Sequence, residues 1–337
     1  MSKDAWTQRL LKLGLAIQSR LHQTLSDGID GLALPVAQEG GDTIYAIDRK
    51  VEPVIESEID HWPDECKPLV LIAEGMGTNG MRLFGGKDSQ PRFRVIIDPI
   101  DGTRNLMFDK RSAWFIAAVA EDKGTSTTLA DTFAAALVEL PTSKQALCDA
   151  FVARRDRATT GLRMPVGAGD RSISLPVRPS QAGNLENGFG QVSSFFPGTK
   201  ALAADLMERI AERTVGQVKA GQALIFDDQY ISTGGQMVEL MVGHDRFCCD
   251  LRPLFYKILE QQTGNAVRGL ECHPYDVAGL LVAKNAGVVI TDGFGEPLDC
   301  PLDVHTGVHW CGYANAELQR TIQPIVLEWL REQGLNV

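Results

Sequence analysis

The sequence is short of positive charge: 33 lysines and arginines face 43 aspartates and glutamates, a formal net charge of −10 over 337 residues. A broad nucleic-acid-binding face is thereby excluded, because affinity for a phosphate backbone rests on clustered cations. A small anionic ligand would need the help of metal ions. Paired cysteine spacing is missing too. The seven cysteines (Cys66, Cys148, Cys248, Cys249, Cys272, Cys300 and Cys311) are odd in number and include no Cys-x-x-Cys, so neither a zinc site nor a disulfide framework is indicated. Reduced thiols in a cytoplasmic protein are the expectation. No window approaches the roughly 18 apolar residues of a membrane span. Lys12 and Gln18 interrupt the one candidate signal stretch near the start, so no secretory leader is expected. There is no internal repeat and no low-complexity segment. With 44% hydrophobic and 23% charged residues, the chain is an ordinary globular one, long enough for about two packed units.

What is present is helix and strand in alternation. Trp6, Leu10, Leu13, Ile17, Leu21 and Leu25 recur at three- and four-residue steps, which predicts an amphipathic helix to about Ser26. After the Gly40-Gly41 turn, Ile44 to Ile59 carries a helical spacing with Asp48 near its start, and Trp62-Pro63 ends it. Val70 to Ala73 and Phe93 to Ile97 are short apolar runs that deliver Glu74 and Asp98 at their ends, as buried strands do. Trp114 to Ala120 and Thr132 to Leu140 continue a sheet. Between about Arg154 and Asn187 the period is lost, which suggests loops, short strands and a subdomain boundary. Beyond it, helices are predicted at Lys200 to Glu212, Gln236 to Val242 and Asp276 to Ala286, with a strand at Val288 to Ile290.

The informative stretch is RVIIDPIDGTRN, residues 94 to 105. Asp98 and Asp101 flank Pro99, which fixes φ and stops the strand, so both carboxylates can turn toward one point. Two acids brought together repel unless cations lie between them, and hard oxygen ligands select Mg²⁺ or Mn²⁺ over zinc. Gly102 and Thr103 follow where exposed backbone N–H groups can hold phosphate oxygens. Asp-Pro-x-Asp-Gly is also good turn chemistry. Asp276, in ECHPYDVAGLLVAKNAGVVITDG, opens a small-residue helix, where it suits either a ligand or a simple cap.

These residues carry a likeness. With DPIDGTxN, the aspartate followed by Ala-Gly and Val-Ile-Thr-Asp, and AIDRKVE around Asp48, the chain resembles the inositol monophosphatase superfamily, which also holds fructose bisphosphatases and bisphosphate nucleotidases. The resemblance runs to about residue 315. It implies an α+β sugar-phosphatase fold, a layered α-β-α-β-α sandwich with a mostly antiparallel N-terminal sheet and a smaller mixed C-terminal one. The expected division is 1–187, bearing most metal ligands, and 188–337, contributing the last aspartate and substrate contacts.

Carried over by position, the resemblance implies that Glu74, Asp98 and the Ile100 carbonyl bind one metal, and that Asp98, Asp101 and Asp276 bind a second. Thr103 and Asp48 would orient the attacking water, with Glu74 counted among the catalytic groups. Gly102 and Thr103 would cradle the phosphate, joined at the substrate by Asp101, Asp276, Ser232, Thr233 and Gly234. Two or three Mg²⁺ ions, replaceable by Mn²⁺, are implied, as is a homodimer. The expected activity is Mg-dependent hydrolysis of a small phosphate monoester, a phosphorylated metabolite, by a metal-activated water. The alternatives are a fructose-1,6-bisphosphatase or a 3′(2′),5′-bisphosphate nucleotidase and, in a different class, a non-catalytic sugar-phosphate binder.

Departures mark the chain. Gly75 stands where the family has a second acid, Tyr275 replaces a tryptophan, Ser232 to Gly235 match the family's Gly-Ser/Thr-Ala-Ala only loosely, and Gly269 occupies the place of an inositol-binding glutamate, with Glu271 nearby. The segment from His244 to Tyr275 is longer than in compact relatives. Its Arg246, Arg252, Lys257 and Arg268 either reach a second phosphate or are solvated surface charge. His305 and His309 have zinc-helix spacing but lack its glutamate, Cys248 and Cys249 read as buried small residues, and His273 either lines the pocket or packs.

Overall fold

The computed structural model describes residues 3–39, 42–77, 79–86, 89–168, 171–217 and 220–336; the expected Gly40-Gly41 turn lies outside them. The chain opens with α1 (Lys3–Asp27), a hairpin of β1 (Pro35–Glu39) and β2 (Asp42–Tyr45), and α2 (Glu52–Asp60). Next come β3 (Leu69–Ile72), β4 (Met81–Phe84), β5 (Phe93–Asp101), the short α3 (Thr103–Leu106), β6 (Ala113–Glu121), β7 (Ala134–Leu140), β8 (Leu147–Arg154), β9 (Arg157–Pro165) and β10 (Ile173–Leu175). The remainder runs β11 (Gly188–Val192), α4 (Lys200–Val215), β12 (Ile225–Phe226), α5 (Thr233–Val242), β13 (Asp245–Asp250), α6 (Arg252–Thr263), α7 (Leu280–Asn285), β14 (Val289–Asp292), β15 (Trp310–Tyr313) and α8 (Ala316–Glu332).

Eight strands form one sheet in the order β10-β9-β8-β7-β6-β5-β3-β4 and five form another, β12-β11-β13-β15-β14. Among the described residues of the larger sheet, only β3 and β5 pair in parallel. The smaller is mixed, with β11 parallel to β12 and β13 and β15 antiparallel to β13 and β14. The central strand β6 shows why layers form. Phe115, Ala117 and Val119 join the core beneath α1 and α2, while Trp114, Ile116, Ala118 and Ala120 join the core shared with the second half. Side chains alternate across a strand, so an unbroken apolar run is buried on both faces. α5 and α7 fill the space between the sheets, and α4, α6 and α8 close the far side, where Phe255 meets Trp329 edge-on with ring centroids 5.8 Å apart. The result is the α-β-α-β-α sandwich. Among the described residues no helix is long and apolar enough to cross a membrane.

Three sequence expectations shift. Ile44 lies in β2, and the helix expected from there begins only at Glu52, with Asp48 in a one-turn 3-10 helix before it. The helix expected from Asp276 begins at Leu280, after turns. The stretch beyond Arg154 holds the nine-residue strand β9, paired with β8 along its length. Its Arg157, Thr160 and Arg163 side chains face solvent, which hides its apolar half from a period search.

One buried acid of the second sheet gives a testable pH dependence. Asp245, 5% exposed, accepts from Gln191 Nε2 at 3.4 Å. Burial, with the charges of Glu239 and Asp228, raises its carboxyl from 3.8 to about 7. A raised folded-state value means that the stabilising contribution is complete below about 4 and is lost as pH rises through about 7. Asp245→Asn is therefore expected to unfold at higher urea than the parent at pH 8, and the difference should vanish near pH 4.

Candidate active site

The site grows from strand register. β3 and β5 run parallel with Ile72 beside Ile96, so two residues further on each chain presents an acid, Glu74 and Asp98. On its other edge β5 pairs with β6, with Asp98 opposite Ile116 and Asp101 opposite Trp114. Three steps along β5 thus match two along β6. The extra residue is a β-bulge at Pro99, which has no N–H to give the ladder. In a regular strand Asp98 and Asp101 would point to opposite faces; the bulge turns them to one side. The sequence reading has Pro99 stopping the strand, whereas β5 continues through Asp101 and the bulge provides the convergence.

Asp276 arrives from the turns before α7, and carboxylate oxygens of Asp98, Asp101 and Asp276 lie within 4.8 Å of one another. Each is held by the backbone. Asp98 Oδ1 accepts from Ile100 N at 2.9 Å, and Asp276 Oδ2 accepts from His273 N at 2.6 Å. Asp101 accepts from Ser232 Oγ at 2.7 Å, Thr233 N at 3.1 Å and Gly234 N at 2.6 Å. The donors of Ser232, Thr233 and Gly234, expected at the substrate, thus go to Asp101, whose charge rests on the positive end of α5.

Burial drives the Asp98 carboxyl well above the usual carboxylate range, and the charges of Asp101, Asp276 and Glu74 add to it. Asp276 is raised likewise, by burial and then Asp101. For Asp101 burial is offset by its Ser232, Gly234 and Thr233 hydrogen bonds, leaving it at about 6. Glu74 lines the same cavity. Gly75, in the place of the family's second acid, has φ +71°, a left-handed conformation that a side-chain-bearing residue rarely adopts.

Beside the acids, Thr103 Oγ1 lies 3.2 Å from Asp48 Oδ1 and 2.8 Å from the Ile100 carbonyl oxygen, so its one proton serves either acceptor. Asp48 Oδ2 accepts from Tyr45 N at 2.7 Å. Gly102 takes φ +98°, and a Cβ there would come within 2.8 Å of the Ile231 oxygen. Only glycine lets this turn press against the segment that leads to Ser232.

That segment is clamped by Tyr230. Its hydroxyl donates to Ser112 O at 2.8 Å and accepts from Trp114 Nε1 at 2.9 Å, while the Arg111 guanidinium lies 3.5 Å over its ring. Tyr230→Phe leaves two buried partners unsatisfied, an expected cost of about 1–3 kcal/mol, read as a lower urea midpoint.

Residues with no motif complete the lining. Arg104, Phe195, Phe196, Arg252 and Glu271 face the cavity with Thr43, Tyr45 and Tyr275. Of the four basic residues in the 244–275 segment, Arg252 is the one that lines it; Arg246 instead donates to the carbonyls of Asn184 and Glu186. His309 Nδ1 accepts from Gly293 N at 2.9 Å, a structural bond away from the acids. His273 is 9% exposed and bonds Thr306 O, so its ring packs while its backbone N–H serves Asp276.

No family model and no curated protein matches the chain. Solved structures do. The extragenic suppressor protein suhB from Bartonella henselae aligns over 96% of this chain and 97% of its own, with TM-score 0.60 and 16% identity. An inositol monophosphatase-fructose 1,6 bisphosphatase aligns over 94% and 98%, with TM-score 0.61 and 14% identity. The fructose-1,6-bisphosphatase of Leishmania major aligns over 96% and 94%, with TM-score 0.64 and 13% identity. The chain has the fold of the inositol monophosphatase and fructose-1,6-bisphosphatase superfamily.

Proposed function

We propose that this chain is a divalent-metal-dependent phosphoric monoester hydrolase that releases inorganic phosphate from a small phosphorylated metabolite. The observation that carries the reading is the meeting of three carboxylates, Asp101 buried and Asp98 and Asp276 half-buried, within 4.8 Å, with Glu74 in the same cavity. Burying several like charges together is unfavourable unless a cation compensates. The donor set is oxygen throughout, which fits Mg²⁺ or Mn²⁺ and not a softer metal. Glu74, Asp98, the Ile100 carbonyl, Asp101 and Asp276 would hold the ions. When bound, these neutralise the phosphoryl oxygens and supply the Lewis acidity that ester hydrolysis needs.

The chain's own groups do the positioning. When the Thr103 hydroxyl donates to Asp48, its lone pairs are left to accept a hydrogen bond from a water, and the Glu74 carboxylate offers a second hydrogen-bond acceptor. The N–H groups of Gly102, just before α3, and of Thr103, its first residue, lack helical acceptors by position and suit phosphate oxygens. In this reading residues 1–187 supply these groups, and residues 188–337 supply Asp276 and the donors that hold Asp101.

Free phosphate release from a panel of sugar phosphates and nucleotide bisphosphates, with Mg²⁺ present or chelated, tests the proposal. Release with Mg²⁺ and its loss on chelation are expected. Tight binding of a sugar phosphate without turnover would favour a non-catalytic binder instead.

A further inference from the structure

The charge of Asp101 is cradled by a helix from the other half of the chain. Ser232, which caps α5, donates its hydroxyl to Asp101 and accepts from Gly235 N at 2.9 Å, and the Thr233 and Gly234 N–H groups complete the cradle. The fit of this site to an ion therefore depends on what keeps α5 in register with β5. Asn105 Nδ2 donates to Ile231 O at 3.2 Å. Further fastening comes from the link between α3 and β6, where Arg111 and Ser112 are neighbours. Ser112 O receives the Tyr230 hydroxyl at 2.8 Å, and the Arg111 guanidinium lies over the same ring. That guanidinium is also shared between two acids: Nη1 donates to Asp228, before α5, at 2.7 Å, and Nη2 to Glu239, inside it, at 3.3 Å. One cation so holds the approach to α5, the helix itself and the ring between them.

We propose that Arg111 is a positioning residue for the metal site: it keeps the start of α5 in register with Asp101 and so sets the affinity for divalent ions. Ligands must be held within about 0.5 Å of their working geometry by supporting contacts, and losing such a contact typically costs about 10- to 100-fold in metal affinity. The ion pairs themselves contribute little to stability, because Arg111, Asp228 and Glu239 are 30%, 49% and 24% exposed and water screens such pairs. The charge of Arg111 acts in the opposite sense. A guanidinium repels a bound cation, so its removal would, through the field alone, tighten metal binding. The sign of the change separates positioning from plain electrostatics. The inference rests on the metal-dependent reading of the site, although Arg111 is not among the cavity's described lining residues.

Mn²⁺ binding to the metal-free protein at pH 8, followed through the electron paramagnetic resonance of the free ion, gives Kd without any turnover. Arg111→Gln is expected to raise that Kd about 10-fold, the lower end of the range because the residue acts through α5 and not on Asp101 itself. Arg111→Lys keeps the charge but lacks the planar fork that bridges two acids and stacks on a ring, so a rise of about threefold is expected. In the phosphate assay, the Mg²⁺ concentration for half-maximal release should rise by the same factors. Melting in chelator verifies that each variant folds, with a shift of only a few degrees. A Kd unchanged or lowered in folded Arg111→Gln would overturn the proposal and leave the metal site standing. If that variant does not fold, Arg111→Lys decides by the same measure. A parent protein that binds no Mn²⁺ overturns the metal reading and this inference together. Mn²⁺ binding without phosphate release sinks only the phosphatase reading, and the Kd values still decide on Arg111.

Discussion

Asp276→Asn is expected to reduce phosphate release by about three orders of magnitude or more, the scale on which a site acting as a unit loses one member. It is also expected to raise the melting temperature of the metal-free protein. Both follow from one feature. Asp276 faces Asp101 and Asp98 across less than 4.8 Å, and its carboxyl is raised by burial and by Asp101. An amide keeps an oxygen for the His273 N–H but removes a charge. The repulsion in the metal-free site falls, which stabilises the fold, and the affinity for divalent ions falls with it. A purely structural aspartate behaves in the opposite way, since its loss lowers the melting temperature and leaves turnover in place. Calorimetry in chelator and a phosphate assay in Mg²⁺ separate the two.

The second large effect is a Mg²⁺ stabilisation that depends on pH. Asp101 titrates at about 6 in the folded chain, above its ordinary 3.8, and Asp98 and Asp276 are also raised well above the ordinary carboxylate value. For carboxyls raised on folding, the stabilising contribution is complete below about 4 and is lost as pH rises through about 6 and beyond. Metal-free protein should therefore lose stability on going from pH 5 to pH 8. Mg²⁺ favours the ionised site and counters that loss. At a concentration about 100 times its Kd, an ion contributes about 2.7 kcal/mol. The expected melting curves show little response to Mg²⁺ at pH 5, a rise of several degrees at pH 8, and a much smaller rise at pH 8 in Asp276→Asn. An equal Mg²⁺ response at both pH values would contradict the assignment.

How far the sequence revealed this site depended on the kind of order involved. Glu74 and Asp98 were legible because each ends a short apolar run, and strand ends leave a local mark. The bulge at Pro99 was not, because a proline after a strand also signals a stop; only pairing with β6, residues away in sequence, shows that the ladder resumes at Asp101. The cavity wall of Arg104, Phe195 and Phe196 leaves no periodic trace. Two of its members sit in a loop after β11, and only folding brings them beside the short helix after Gly102. The small-residue run from Ser232 to Gly235 was visible as a loose match to a family element, but its use as the cradle of Asp101 required knowing which carboxylate would meet it. Asp276 was found through resemblance, and its place in turns before α7 reflects a local bond to His273 N that competes with helix formation.

The claim on which everything else depends is that these acids gather around divalent ions. Crystals grown with Mn²⁺ and measured at the manganese absorption edge test it most directly. The expected map shows anomalous density between Asp98, Asp101 and Asp276, with Glu74 alongside. A well-ordered cavity with no manganese signal at millimolar Mn²⁺ and pH 8 would contradict it.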